Sequence, residues 1–201
     1  MNDIYDNADA KKNDFFEDVY GVLFCPKETF GRLRQNPPII EALAIVVAVS
    51  VLSPLINASF TDVQSLNWFV FSLFSVSFTG IIKWVFFAAF VEGLASIFKK
   101  GGKDKFKALL ALSGFALLPW LFIAPVTLLK TGGILFSLLG VLAGIAIWIW
   151  TTILTIFAAM KVYDISSGRI LLLLAVPFIG GIVFFNWIIG FFTTLTKLLG
   201  S

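Results

Sequence analysis

The sequence contains no histidine, a single cysteine and little charge: 13% of its 201 residues are Asp, Glu, Lys or Arg, where a soluble domain carries about a quarter. Each scarcity excludes some chemistry. Without imidazole there is no Ser–His pair, no HExxH zinc site and no haem-type histidine ligand. Cys25 alone forms neither an intramolecular disulfide nor a CxxC site. A GxxxxGK[ST] phosphate loop is also missing. An intramembrane aspartyl protease would need two aspartates within apolar spans, and Asp62 and Asp164 fall in expected loops. No enzyme, cofactor or metal site is expected. Residues 1–14 carry Asp3, Asp6, Asp9 and Asp14 where a secretory leader needs a basic region and then an apolar run. The first apolar segment is therefore expected to stay in the membrane.

What is abundant is apolar and aromatic: 59% hydrophobic residues, among them 23 Phe and 6 Trp. A spanning helix takes about 20 such residues. Five stretches reach that length, at 38–60, 68–98, 108–129, 133–160 and 170–192. Backbone polar groups in lipid must be satisfied internally, by helices or a closed barrel. Long apolar runs without period-2 alternation favour helices. The expected fold is an all-α membrane protein, a bundle of five transmembrane helices (domain 38–199) preceded by a cytoplasmic tail (1–37). The 68–98 run is expected to be one helix, since two crossings would need a turn near Thr79-Gly80 and two very short helices.

The basic residues divide unequally between the two sides of such a bundle. One side takes Lys11, Lys12, Lys27, Arg32 and Arg34, then Lys99, Lys100, Lys103, Lys105 and Lys107, then Lys161 and Arg169. The other takes Lys130 and Lys197. Positive charge stays inside, so the amino terminus is expected in the cytoplasm and the carboxyl terminus on the opposite side.

Residues 15–35 have a face of their own. Phe15, Phe16, Val19, Val22 and Leu23 recur with helical spacing, opposite Asp14, Glu17 and Asp18. Pro26 restarts the chain at a first helical position, and a second helix to Gln35 would put Phe30 and Leu33 on one side beside Arg32 and Arg34. Asn36-Pro37-Pro38 has the form of a cap and start for the first span. The segment is an amphipathic helical hairpin, with two readings. It lies on headgroups with Arg32 and Arg34 near phosphate, or its apolar faces cover the ends of the bundle. The lysine run Lys99, Lys100, Lys103, Lys105 and Lys107 suits an anionic leaflet or serves only to anchor topology. Anionic membrane lipid is thus an expected partner. Nucleic acid is not, since acidic residues outnumber basic ones in the tail and no separate basic domain exists.

Leu23-Phe24-Cys25-Pro26-Lys27-Glu28-Thr29-Phe30, followed by Leu33-Arg34-Gln35-Asn36-Pro37, resembles the leading segment of bacterial Yip1-domain proteins. So do Gly101-Gly102-Lys103, Phe106-Lys107-Ala108-Leu109-Leu110, Ser113-Gly114-Phe115-Ala116 and Leu118-Pro119, and more weakly Tyr163-Asp164-Ile165-Ser166. The likeness covers about residues 22–192, and its middle motif is the most specific part. It implies a five-span helical protein with a cytosolic amino terminus, here in a bacterial cytoplasmic membrane. Eukaryotic members are associated with Rab GTPases and transport vesicles. The short tail is of the bacterial kind, so a Rab partner is not carried over, and the family brings no catalytic motif.

Few residues stand out within the spans. Ser72, Ser75, Thr79 and Lys83 fall in a sector of roughly 80° at 100° per residue. This polar stripe lines a hydrated groove, or Lys83 snorkels from a long helix. Glu92 is half a turn out of phase with Lys83 and is expected to meet a loop lysine or the chain near Arg34. Glu41, early in the first span, is the other intramembrane acid. Pro119 and Pro125 should bend or interrupt the third span. The pairs Gly140/Gly144 and Ala89/Gly93 permit close packing, more within the chain than between copies, with homo-oligomerisation left open. The expectation for function is association: a non-enzymatic membrane protein that organises or regulates another membrane component or the local lipid. The alternative is a small transporter or channel built on the stripe through Lys83.

Overall fold

The computed structural model describes residues 14–60, 66–97, 101–129 and 133–165. The expected fifth span at 170–192 lies outside the described residues, as do Lys99 and Lys100. Among the described residues the chain is all helical, without a strand.

Two short helices open the chain, α1 (Asp14–Phe24) and α2 (Pro26–Leu33). Cys25 alone joins them. Its amide donates to the Gly21 carbonyl at 2.7 Å, closing α1, and its carbonyl accepts from both the amide and the hydroxyl of Thr29, at 3.2 and 3.1 Å. Pro26 occupies the first turn of α2, where its missing N–H costs nothing. The helix ends at Leu33 rather than Gln35, and the chain then turns through Pro37-Pro38 into α3 (Ile39–Phe60), whose first bond runs from Ala42 to the Pro38 carbonyl at 3.1 Å. Pro54 sits inside α3 without ending it.

The long second run is one uninterrupted helix, α4 (Leu66–Ile97). The third run differs most from a simple span. It begins at Lys103 as α5 (Lys103–Phe115), passes through a 3-10 turn (Leu118–Phe122) and finishes as α6 (Ile123–Leu129). Pro119 has no donor for an α-type bond and disfavours helical geometry in the residue before it. The change falls just upstream, where Leu117 and Trp120 make tight bonds to Gly114 and Leu117, at 3.1 and 2.9 Å. Pro125 lies in the first turn of α6, where the lost N–H is least missed. The fourth run is α7 (Ile134–Tyr163).

Among the described residues, four segments are long and apolar enough to cross a membrane. The third is buried over 56% of its apolar window, against 22%, 17% and 17% for the first, second and fourth. It is the centre of the bundle, around which the other three present mostly outward faces. Its glycine explains part of this: a Cβ on Gly114 would stand 2.7 Å from the Ala42 Cβ and 3.1 Å from its carbonyl oxygen, so α3 and α5 touch backbone to backbone. On the other side, buried Trp84 of α4 donates its indole N–H to the Leu110 carbonyl and the Ser113 hydroxyl, at 3.0 and 3.1 Å. A desolvated donor is thereby satisfied where water is excluded. Gly140 of α7 is buried, whereas a Cβ added at Gly144 or Gly93 would meet nothing within 4 Å among the described residues.

Candidate functional site

Polar chemistry concentrates at one end of the bundle, where α2, the ends of α4 and α7 and the start of α5 converge. Arg34, just past α2, makes a bidentate pair with Asp164, both bonds 2.8 Å, and donates to the Lys161 carbonyl at 2.6 Å. Asp164 adopts the left-handed conformation at φ 52° and closes α7 through its amide to Met160, a conformation Asp tolerates better than most residues. A guanidinium beside the last carbonyls of a helix also meets the negative end of its dipole. The hydrogen bond to Asp164 leads the effects holding the Arg34 guanidinium above its ordinary pKa.

One residue earlier, the Tyr163 hydroxyl donates to Glu92 at 2.6 Å, and the other Glu92 oxygen accepts the Gly102 amide. Glu92 therefore ties α4 to α7 and to the turn before α5. A Cβ on Gly101 would come within 2.6 Å of the Glu92 carboxylate, so this close turn needs glycine. Arg32 works inside the amino-terminal pair: it bridges Glu17 at 2.8 Å and also reaches Asp18. The bond to Glu17 leads the effects raising its pKa. Both arginines expected near phosphate are thus engaged by carboxylates of the chain itself, and Val22, Phe30 and Leu33 are buried in the bundle core. Lys27 lies 5.2 Å from the centroid of the Phe157 ring, a second tie to α7.

The apolar arc of α1 is wider than its buried part. Phe15, Val19 and Leu23 pack on the core. Phe16, Tyr20 and Phe24 form an adjoining row that remains 77%, 64% and 62% exposed, with the Tyr20 and Phe24 rings 4.6 Å apart. The sequence carries this row at i, i+4 and i+8, yet Tyr20 and Phe24 are absent from the face read from it. Of the described lysines of the run, Lys103 and Lys107 are exposed and Lys105 is partly covered.

The stripe lies on the outer side of α4. Ser72 is half-buried, and Ser75, Thr79 and Lys83 are exposed. Lys83 makes no hydrogen bond or ion pair among the described residues. A Cβ on Gly80 would lie 3.0 Å from the Ser50 Cβ, which sets the level of α4 against α3. In an antiparallel pair, Lys83 is then level with Val47, about 12 Å along α3 from Ile39. Glu41 is exposed near the start of α3. No group of three or more metal-ligating side chains occurs among the described residues.

The Yip1 domain matches residues 20–189. The chain belongs to the Yip1-domain family. With four helices able to cross a bilayer among its described residues, this Yip1-domain protein is an integral membrane protein. No curated protein and no solved structure matches it.

Proposed function

We propose that this Yip1-domain protein acts without catalysis, by associating with another membrane component at the polar end of its bundle. The observation that carries the reading is the aromatic row of α1. Arg32 ties α2 to α1, Arg34 ties the end of α2 to α7, and α1 is thereby held against the bundle with Phe16, Tyr20 and Phe24 uncovered. Exposed aromatic residues that are held in place are what binding surfaces use, because little side-chain entropy remains to be lost. Lys103 and Lys107 at the start of α5 add positive charge at the same end, suited to anionic headgroups. The outward placement of Ser75, Thr79 and Lys83 favours association over a permeation path. By the distribution of Lys and Arg, this end faces the cytoplasm.

A photocrosslinking residue in place of Tyr20, used in native membranes, tests the reading. Adducts to a defined protein or to lipid are expected, and they should disappear when Phe16 and Phe24 are changed to Ser. Adducts confined to solvent and buffer would refute it. Reporters placed at Gly101-Gly102 and after Ser201 should read opposite sides of the membrane, and both on one side would refute the five-span arrangement.

A further inference from the structure

We propose that Lys83 is a docking point for a transmembrane helix of another protein that carries a carboxylate at mid-depth. This deepens the association reading and rests on it only in requiring a partner.

The position of Lys83 carries the argument. The Glu92–Tyr163 and Arg34–Asp164 pairs mark the polar layer at one end of the bundle. Lys83 lies nine residues from Glu92 along the same helix, a rise of about 13.5 Å. A hydrocarbon core is about 30 Å thick, so the Lys83 backbone sits close to its centre. An extended lysine reaches roughly 6 Å, less than half the distance to the polar layer. In the other direction Lys83 lies seventeen positions along α4 from Leu66. Snorkelling therefore leaves the ammonium in the apolar region, where charge is tolerated when it is paired.

Among the described residues no acid pairs with Lys83, and Glu41 lies six residues, about 9 Å, along α3 from the level of Lys83. Glu92 is on the opposite side of α4 and already accepts from Tyr163 and Gly102. Residues 165–201 contain no Asp or Glu, so the stretch expected as the fifth span contributes none. Lys83 faces outward, with Ser75 and Thr79 on the same stripe. Hydroxyls at that spacing can hydrogen-bond across to a neighbouring helix. A lone cation on an outward face with two hydroxyls beneath it is complementary to a helix bearing Asp or Glu, and lipid tails offer it nothing.

The full chain, labelled at exposed Cys25 and reconstituted in phosphatidylcholine vesicles, can be titrated with acceptor-labelled, leucine-rich spanning peptides. One peptide carries a central Glu and the other a central Leu, at mildly alkaline pH so that the carboxyl is ionised. Energy transfer is expected with the Glu peptide alone. It should weaken by about tenfold or more, a change of about 1.4 kcal/mol, in Lys83→Met and persist in Lys83→Arg. Thermal unfolding in detergent verifies that both variants fold. Equal binding of the Leu peptide, undiminished binding by Lys83→Met, or no binding of either peptide would overturn the proposal. Self-association lost in both Lys83→Met and Glu41→Gln, with the Glu peptide ignored, would also overturn it and name a second copy as the occupant. A variant with Phe16, Tyr20 and Phe24 changed to Ser should still bind the Glu peptide. Failure of the aromatic surface and failure of the Lys83 site are thereby separable.

Discussion

Arg34 and Asp164 meet across 130 positions of sequence through two 2.8 Å hydrogen bonds. The contact joins the helix that precedes the bundle to the end of its longest-range partner, α7. Exposed ion pairs are worth about 0–1 kcal/mol, and here the side chains are 34% and 67% exposed. Two features lift this pair toward the top of that range: its bidentate geometry, and the additional bond to the Lys161 carbonyl at a helix end.

A double-mutant cycle with Arg34→Met and Asp164→Asn should therefore give a coupling of about 1 kcal/mol in detergent unfolding, reduced by salt. Asn is chosen because it also accepts the left-handed backbone. A coupling below about 0.3 kcal/mol would show the pair to be incidental. Alkali is a poor probe of it. The folded-state pKa of Arg34 is raised, so its contribution is complete below the ordinary arginine range and is lost only as pH rises through the raised value.

Glu92 permits a sharper test, because its two partners differ in kind. Tyr163→Phe removes one donor and leaves the ring, which is almost fully buried. Among the described residues the carboxylate then keeps only the Gly102 amide. An under-satisfied partly buried carboxylate costs about 1–3 kcal/mol, and the loss should be largely recovered by Glu92→Gln in the same chain. Full stability in Tyr163→Phe would show that water replaces the hydroxyl without cost.

These contacts separate what the sequence makes legible from what it does not. The extents of α3, α4 and α7 follow from apolar length alone, and the single long helix of α4 from the absence of a usable turn at Thr79-Gly80. The bundle's interior is hidden for the same reason that its spans are obvious. A helix that is apolar all round, facing lipid on one side and protein on the other, has no periodicity to betray its buried face. Nothing local marks Trp84 as the donor to Ser113, or Gly114 as the residue against Ala42. Glu92, Arg32 and Arg34 are conspicuous as charges, and their partners are not, since pairing over 71 or 130 positions is a product of the fold. The expected fifth span lies outside the described residues. The aromatic row of α1 was legible at i, i+4 and i+8 and escaped because the apolar arc is wider than the face assigned to it.

Gly114 is where the central segment is most sensitive. An added methyl group would stand 2.7 Å from the Ala42 Cβ and 3.2 Å from its Cα, and backbone cannot rotate away. Gly114→Ala should destabilise by about 1–3 kcal/mol through overpacking, against its slight gain in helix propensity. Ala42→Gly in the same chain should restore part of the loss, since it removes the nearest atom. Gly144→Ala is the control: a Cβ added there would meet nothing within 4 Å among the described residues, so the same substitution there should be neutral or mildly stabilising. Equal effects at both glycines would contradict the close approach of α3 and α5.

Thr151 presents the opposite situation, a polar atom that should be expendable. It is 8% exposed on α7, and its hydroxyl has no hydrogen-bond partner among the described residues. Its neighbours behave differently: Thr152 and Thr155 donate to the carbonyls of Trp148 and Thr151, at 2.9 and 2.8 Å. A buried hydroxyl without a partner forfeits its hydration for nothing, at roughly 1–3 kcal/mol. Valine has nearly the same shape with a methyl in place of the hydroxyl, and in a helix it strongly prefers a single rotamer. Thr151→Val should accordingly be neutral or stabilise the protein by up to about 1.5 kcal/mol in thermal unfolding. Thr155→Val, which removes a formed bond, should be neutral to destabilising by about 1 kcal/mol. The order of the two variants is the decisive quantity, because both make the same chemical change one turn apart on the same helix. A Thr151→Val variant less stable than Thr155→Val would mean that the hydroxyl is satisfied in the membrane by a water or a bound molecule.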